Sequence, residues 1–249
     1  MEVHAHTHTP RKKWTHYFWE FLMLFLAVFC GFLAEYQLEH VVEHNREKEY
    51  IESMVNDLKT DSTRIAMNIN YNNRLVSGFD SLLQNIYRTP YTDSSIRTLY
   101  YLKETYTLAR GTMIFSKATI SQLKNSGGLR LIRRRAVADS IIRYDLSTER
   151  AEGQGEAVLW ASQKLLDLSI KVFDGENVLD YNSSSDYKDI LRSTQKFSLL
   201  TDDRKLIKEY ANLAKFKKDV IINYIRQLKA LQSRIPAIIQ FLEKKYHLE

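Results

Sequence analysis

The chain has 249 residues, of which 44% are hydrophobic and 27% are charged, and its formal net charge is +6 at pH 7. Charges of both signs are interspersed, as on the solvated surface of helices, so the basic excess does not indicate a nucleic-acid partner. Cys30 is the only cysteine, which excludes an intrachain disulfide.

A single apolar segment near the N-terminus predicts an anchored membrane protein. Its uninterrupted run, residues 21–34, is about 21 Å long as a helix, and flanking aromatic residues extend it toward the roughly 30 Å of a bilayer core. We expect a disordered cytoplasmic stretch at 1–13, a transmembrane helix at 14–38 and an extracytoplasmic helical bundle at 39–249. A cleaved signal peptide is the alternative, but Phe32 stands where cleavage before Ala34 requires a small residue.

The basic residues Arg11, Lys12 and Lys13 predict the orientation of this signal anchor. They flank the apolar segment on its short side, and the positive-inside rule keeps that side in the cytosol. The same stretch contains the alternating histidines His4, His6 and His8, a pattern that binds transition metals weakly. The sequence nevertheless predicts no cofactor.

One face of the predicted membrane helix carries small and acidic residues, namely Glu20, Ala27, Gly31 and Glu35. Ala27 and Gly31 form a small-xxx-small pair, which allows a second helix to approach closely. We therefore predict an interface there, for a second copy of the chain or a membrane protein partner, with membrane lipid around it. The alternative is that both acids lie at the two bilayer surfaces and reach water.

The sequence from His40 to His44, HVVEH, matches the inverted zinc-protease signature. On a helix His40 and His44 share a face, as zinc requires. No third ligand and no substrate cleft can be identified, and matches of this length often arise by chance. Zinc hydrolysis by His40, Glu43 and His44 is therefore only a third hypothesis, and we predict that the protein is not an enzyme.

Two heptad columns predict a long helix that continues to about residue 88. The columns are Val55, Ser62, Ile69, Val76 and Leu83, and Ile51, Leu58, Ile65, Asn72, Phe79 and Ile86. Most of these positions are apolar, which indicates a helix packed along its length, either inside a bundle or in an intermolecular coiled coil. Pro90 ends this helix, and Thr92 or Asp93 caps the next.

Three further helices complete the predicted fold. We expect helices at 94–126 and 134–173, a turn-rich loop at 174–186 and a last helix from Asp202, which together make an elongated antiparallel bundle. The core stripe of the last helix is Leu206, Tyr210, Leu213, Val220, Tyr224, Leu228, Leu231, Ile235, Ile238 and Leu242.

A basic cluster follows the glycines that end the second predicted helix, and it consists of Arg130, Arg133, Arg134 and Arg135. Basic residues in a first helical turn oppose the helix dipole. We therefore hypothesise that the cluster contacts acidic lipid headgroups, peptidoglycan carboxylates or a protein partner. The alternative is an ordinary helix cap followed by a basic turn.

Three stretches carry a resemblance to a known family: the apolar segment with its flanks, ISQLKNSGGLRLIR at 120–133 and VADSIIRYD at 137–145. They resemble an uncharacterised family of single-span Bacteroidota membrane proteins, a domain of unknown function. The resemblance implies a single-pass protein of the bacterial inner membrane with a periplasmic helical domain. It implies no catalytic residue.

Two functional hypotheses remain beside the hydrolase. The first is a membrane-anchored helical scaffold, assembly or interaction protein without catalytic activity, favoured by the heptads and the small-residue face. The second is an extracytoplasmic ligand-sensing bundle that works with a separate membrane partner. A closed apolar pocket between the helices would favour the second.

Overall fold

The computed structural model describes residues 14–178 and 187–248 and confirms the predicted all-α fold. The helices are α1 (Trp14–Tyr87), α2 (Asp93–Tyr106), α3 (Ala118–Asn125), α4 (Arg135–Val172), α5 (Asp189–Arg192) and α6 (Arg204–Tyr246). The chain divides into two compact units, Met1–Tyr50 and Ile51–Glu249. The predictions for residues 1–13, including His4, His6, His8, Arg11, Lys12 and Lys13, lie outside the described residues, as does the 179–186 part of the predicted loop.

The described part of the first unit is the N-terminal portion of α1. It contains one stretch that is long and apolar enough to cross a membrane, and none of that stretch is buried. Trp14 is 81% exposed and Phe32 is 70% exposed. Exposed aromatic and aliphatic side chains at this density are unfavourable in water, because each leaves its apolar area hydrated.

The second unit is built around α4 and α6, which pack closely. Arg134 lies over the ring of Tyr246 at one end of the pair, and the rings of Trp160 and Phe216 are 6.0 Å apart further along. The two helices are therefore antiparallel. Small residues on the buried faces, including Ala151 and Ala214, allow this close approach.

The portion of α1 in the second unit also runs antiparallel to α6. Lys59 Nζ is 2.9 Å from Glu243 Oε1, and Lys218 Nζ is 2.8 Å from Asp80 Oδ1. Because α1 and α4 both oppose α6, they run in the same direction as each other. The chain must therefore return along the bundle between α1 and α4.

The buried face of α1 agrees with one heptad column and departs from the other. Every member of the column from Ile51 to Ile86 is buried, whereas Ser62, Val76 and Leu83 of the other column are only half-buried. Their place is taken by a neighbouring row on the same helix, Met54, Asp61, Leu75 and Leu82. The core face of α1 is therefore wider than a two-column seam and is turned toward this row.

The prediction of one helix at 94–126 is wrong. Thr92 does cap α2, in a capping box with Ser95, but α2 ends at Tyr106 and α3 begins at Ala118. Residues 107–117 between them are not helical, and we call them the strap. After α3 the chain turns through Gly127, whose φ of 67° is the left-handed conformation that glycine adopts without strain.

The connection between α4 and α6 is held by Tyr100 of α2. Its hydroxyl donates to the Ser198 carbonyl at 2.8 Å and accepts from the Asp174 amide at 2.7 Å and from Asn177 Nδ2 at 2.9 Å. The Tyr100 ring also packs edge-on against Phe173. Tyr100 thus connects both ends of this segment to the bundle core.

Candidate functional site: the strap and the surfaces around it

The strap is held by side chains rather than by secondary structure. Buried backbone groups must be hydrogen-bonded, and an irregular segment cannot supply its own partners. Side chains of α1 and α6 bind the backbone groups of the strap, namely Asp61, Asn72, Lys217 and Tyr224. An ion pair adds a contact with α4, since Lys117 at the end of the strap pairs with Glu152.

Two side chains of α1 bind the strap. Asn72 Nδ2 donates to the Gly111 carbonyl at 2.7 Å, and Asp61 Oδ1 accepts from the Ser116 amide at 2.9 Å. The other Asp61 oxygen accepts from the Tyr144 hydroxyl of α4 at 2.6 Å. Asp61 therefore ties α1, the strap and α4 together at one carboxylate, and none of its surface is exposed.

Lys217 of α6 binds the beginning of the strap. Its ammonium donates to the carbonyls of Tyr106, Thr107 and Ala109 at 3.2, 2.6 and 3.2 Å. Its Nζ also lies 5.1 Å from the centroid of the Phe79 ring. Three carbonyls match the three N–H donors of an ammonium, so the side chain is satisfied although it is fully buried.

The environment of Lys217 changes its acidity. Burial, with a smaller contribution from the Arg110 guanidinium, lowers the pKa of Lys217 to about 7 from an ordinary 10.5. Desolvation disfavours the charged form. At neutral pH the strap is therefore bound by a lysine that is close to its own titration point.

Two tyrosines support the middle and the start of the strap. The Tyr224 hydroxyl accepts from the Met113 amide at 3.1 Å, and the Tyr210 hydroxyl lies 3.3 Å from Thr107 Oγ1. Burial raises the pKa of both hydroxyls. Both therefore stay protonated well above neutral pH.

Gly111 permits the closest contact between the strap and α1. A Cβ atom at this position would lie 1.9 Å from Asn72 Oδ1, far inside van der Waals contact. Gly155 on α4 faces the strap in a similar way, since its Cβ would lie 3.3 Å from Thr112. The strap therefore fits between the helices because glycine occupies both positions.

The arrangement explains the buried polar residues without assigning them a reaction. Asp61 and Lys217 bind backbone groups of the strap, and Asp61 also accepts from Tyr144. Asn72 donates to the Gly111 carbonyl and to Asn68 on its own helix. Asn72, the polar member of its heptad column, binds the strap at Gly111. These three side chains hold the strap, residues 107–117, in place between the helices.

The predicted membrane face lies on the exposed first part of α1. Gly31 has no neighbour within 4 Å of where a Cβ would stand, so this face is open in the single chain. Glu20 pairs with His16 one turn earlier on the same helix, at 2.9 Å. Ala27 and Glu35 are likewise exposed.

The predicted basic cluster is also exposed, but its members are partly engaged. The Arg134 guanidinium lies 5.5 Å from the centroid of the Tyr246 ring, and Arg135 Nε is 3.9 Å from Asp139 Oδ2. Arg130 lies in the turn before α4, close to Gly127. Arg133 is exposed beside them. The structure therefore brings the four arginines to one exposed turn, and whether they bind a partner stays a prediction.

The histidines of HVVEH pair with acids on their own helix. His40 Nδ1 is 3.9 Å from Glu43 Oε2, and His44 Nδ1 is 3.8 Å from Glu47 Oε2. The His40 ring also packs edge-on against Tyr36. Within the described residues, no group of three or more His, Cys, Asp or Glu side chains is arranged to hold a metal ion.

Comparisons with known proteins identify no relative of this chain. Searches against protein-family models, curated proteins and solved structures each found no match. The family resemblance noted from the sequence therefore stays a prediction.

The sequence reasoning missed the strap cluster, although a signal for it exists. Lys217 lies one turn from Ala214 and Ile221 on the buried face of α6, and Asp61 lies in a row with Met54 and Leu75 on α1. A charged residue in register with a buried stripe requires a buried partner. The partners of Lys217 are backbone carbonyls, and Asp61 binds a backbone amide as well as Tyr144. No residue pattern identifies a backbone partner.

Proposed function

We propose that the protein is a membrane-anchored helical scaffold or interaction protein without catalytic activity. The observation that carries this proposal is the apolar stretch of α1, none of which is buried. A stretch of this length and composition is stable inside a bilayer, where its side chains lose no favourable hydration. The anchor, the inner membrane and the periplasmic location are parts of the same proposal.

The bundle supports the proposal by its construction. Its buried Asp61 and Lys217 bind the strap, and its buried Asp145 pairs with Lys124, so these charges hold elements of the second unit together. In this proposal the bundle, carried on a single anchor, holds partners at the membrane. The small-residue face with Ala27 and Gly31 supplies the contact for a second helix.

The second candidate is the extracytoplasmic ligand-sensing bundle, and a groove between α4 and α6 is the recess in which it would bind a ligand. This groove is lined by both polar and apolar side chains, among them Arg143 and Arg234. It differs from the closed apolar pocket that we expected of a sensor. A sensing role would therefore require a charged ligand.

Labelling at single cysteines tests the anchor and its orientation. In the Cys30→Ser background, Ser94→Cys places one thiol on the exposed first turn of α2. We expect the chain to sediment with membranes after carbonate extraction, and a membrane-impermeant maleimide to label Ser94→Cys once the outer membrane is opened. Recovery in the soluble fraction would contradict the anchor, and labelling only after the inner membrane is lysed would contradict the orientation.

A further inference from the structure

A groove between α4 and α6 has the size of a small-molecule site. Its volume is about 550 Å³, and it is lined by Ser140, Arg143 and Ser147 of α4 and by Leu231, Arg234 and Ile238 of α6, among others. Small-molecule sites fall in the range of roughly 300–1,000 Å³. We call this recess the α4–α6 groove.

The two arginines of the groove have no counter-ion in the part of the chain that the structure describes. Within the described residues, neither the Arg143 nor the Arg234 guanidinium forms an ion pair or a hydrogen bond. The lining contains no acidic residue. Two like charges beside one recess repel each other and together attract an anion.

The acids nearest in sequence are already engaged elsewhere. Asp139 pairs with Arg135 at 3.9 Å, and the buried Asp145 pairs with Lys124. On α6 no acidic residue occurs between Asp219 and Glu243. The positive charge of the groove is therefore not neutralised from either helix.

The hydroxyl groups of the groove divide into donors and acceptors. Ser147 donates to the Arg143 carbonyl at 2.8 Å, which leaves its oxygen lone pairs for a ligand. Ser233, also in the lining, donates in the same way to the Ala230 carbonyl at 3.1 Å. The Ser140 hydroxyl has no hydrogen-bond partner among the described residues and can donate to a ligand. The strongest donors are the two guanidiniums, which match the geometry of carboxylate and phosphate oxygens.

We propose that the α4–α6 groove binds a small molecule that carries an oxyanion and a short apolar portion. Arg143, Arg234 and Ser140 bind the oxyanion, which is a phosphate or a carboxylate. Leu231 and Ile238 contact the apolar portion. The inference rests on the groove alone and holds whether or not α1 spans a membrane, and it extends the sensing candidate by naming the class of ligand.

Calorimetric titration of the full chain in amphipol tests the proposal. The probes are butyl phosphate, pentanoate, inorganic phosphate and butanol. We expect saturable binding of butyl phosphate or pentanoate, the tighter of the two identifying the oxyanion, and weakening of at least about tenfold in Arg143→Gln and in Arg234→Gln because each change removes a charge-assisted contact. Arg226→Gln, at an exposed arginine of α6 outside the groove lining, is the matched control and should bind like the wild type.

Each other outcome decides against part or all of the proposal. Absence of saturable binding by both organic anions, or equal binding to the two groove variants and the wild type, would overturn it. Butanol binding as tightly as butyl phosphate would overturn the oxyanion contact, and inorganic phosphate binding equally well would overturn the apolar contact. Circular dichroism of each variant shows whether the bundle is intact. These results do not depend on the labelling test of the anchor, so the two proposals can fail separately.

Discussion

Each buried polar side chain of the second unit that binds the strap is matched to a named partner there. Asn72 binds the carbonyl of Gly111, Asp61 binds the amide of Ser116, and Lys217 binds three carbonyl groups around Thr107. An unpaired buried polar group costs roughly 1–3 kcal/mol. Removing any one of these side chains therefore leaves the strap with an unsatisfied group as well as a missing contact.

Gly111→Ala should destabilise the bundle by about 2–3 kcal/mol. The added methyl would stand 1.9 Å from Asn72 Oδ1, so either the strap or Asn72 must move and the hydrogen bond to the Gly111 carbonyl is strained. Urea denaturation of the full chain in a non-ionic detergent, followed by circular dichroism, measures the change.

Gly153→Ala is the matched control for this substitution. Gly153 lies on the exposed side of α4, and no atom lies within 4 Å of the place that the added methyl group would take. Alanine there should stabilise the helix by up to about 1 kcal/mol, because glycine is the weaker helix former. Equal effects of the two substitutions would show that the strap does not pack against Asn72 as described.

Lys217 should make the stability of the bundle depend on pH. The folded-state pKa is lowered to about 7, while the unfolded chain keeps its proton up to about 10.5. Between these values the unfolded state binds more protons, so the unfolding free energy rises with pH, by about 2 kcal/mol from pH 7 to pH 9. Below pH 7 both states are protonated and this dependence disappears.

Lys217→Met removes the titrating group and keeps a long side chain in the same space. The variant should lose this part of the pH dependence, so that the difference in unfolding free energy between variant and wild type changes by about 2 kcal/mol from pH 7 to pH 9. Denaturation in urea at the two pH values measures it. An identical slope in both proteins would contradict a lowered pKa at Lys217.

At the scale of elements, the sequence predicted the long helices well because their signals are local. Residues 134–173 were expected as one helix and α4 spans Arg135–Val172; the last helix was expected from Asp202 and is capped by Asp203. Capping residues and apolar periodicity lie within a few residues of the elements they define. These features need no knowledge of the rest of the fold.

The strap could not be predicted because its stability is non-local. Residues 107–117 contain one glycine and no proline, so nothing in them forbids a helix. What prevents the helix is binding to Lys217, which follows Thr107 by 110 positions, and to Asp61, which precedes Ser116 by 55. Tertiary hydrogen bonds have overridden a local preference. The sequence did not indicate the groove arginines for the same reason. Arg143 and Arg234 line one groove only when α4 and α6 pack together.

Tyr144→Phe should loosen the strap at its C-terminal end. The substitution removes the 2.6 Å hydrogen bond to Asp61, whose other oxygen holds the Ser116 amide. A hydrogen bond to a buried carboxylate contributes about 2 kcal/mol, so the free energy of unfolding should fall by about that amount. The Ser116 amide should also exchange faster with deuterium.

Tyr71→Phe provides the comparison for this substitution. Tyr71 is exposed, and its hydroxyl has no hydrogen-bond partner in the part of the chain that the structure describes. The free energy of unfolding of Tyr71→Phe should differ from that of the wild type by less than about 0.5 kcal/mol. Unchanged exchange at Ser116 in Tyr144→Phe would mean that the Asp61 carboxylate does not link α4 to the strap.

At the scale of the whole molecule, the chain combines an exposed apolar helix with a separately packed bundle. Gly31→Leu tests whether the exposed helix also joins chains to one another. Among the described residues, no atom beyond the helix's own backbone lies within 4 Å of where the added Cβ would stand, so the fold of the single chain should not change. We expect about tenfold less crosslinked complex in native membranes, because leucine prevents close approach at the face shared with Ala27.

Leu33→Phe is the control for this experiment. Leu33 is 45% exposed and lies on the side of the helix opposite Gly31, so the substitution adds bulk away from the small-residue pair. Its crosslinking pattern should match the wild type. If Gly31→Leu leaves every complex intact, the proposed face makes no contact.

The dependence of the strap on Lys217 has a consequence for biosynthesis. The ribosome completes residues 107–117 long before it reaches α6. Until Lys217 is synthesised, the carbonyl groups around Thr107 therefore lack their hydrogen-bond donor. Translation that stops before Lys217 yields a product whose strap cannot be bound in its place. Such a fragment exposes main-chain polar groups and the apolar faces of α1 and α4, which are the features by which proteases and chaperones select incomplete chains.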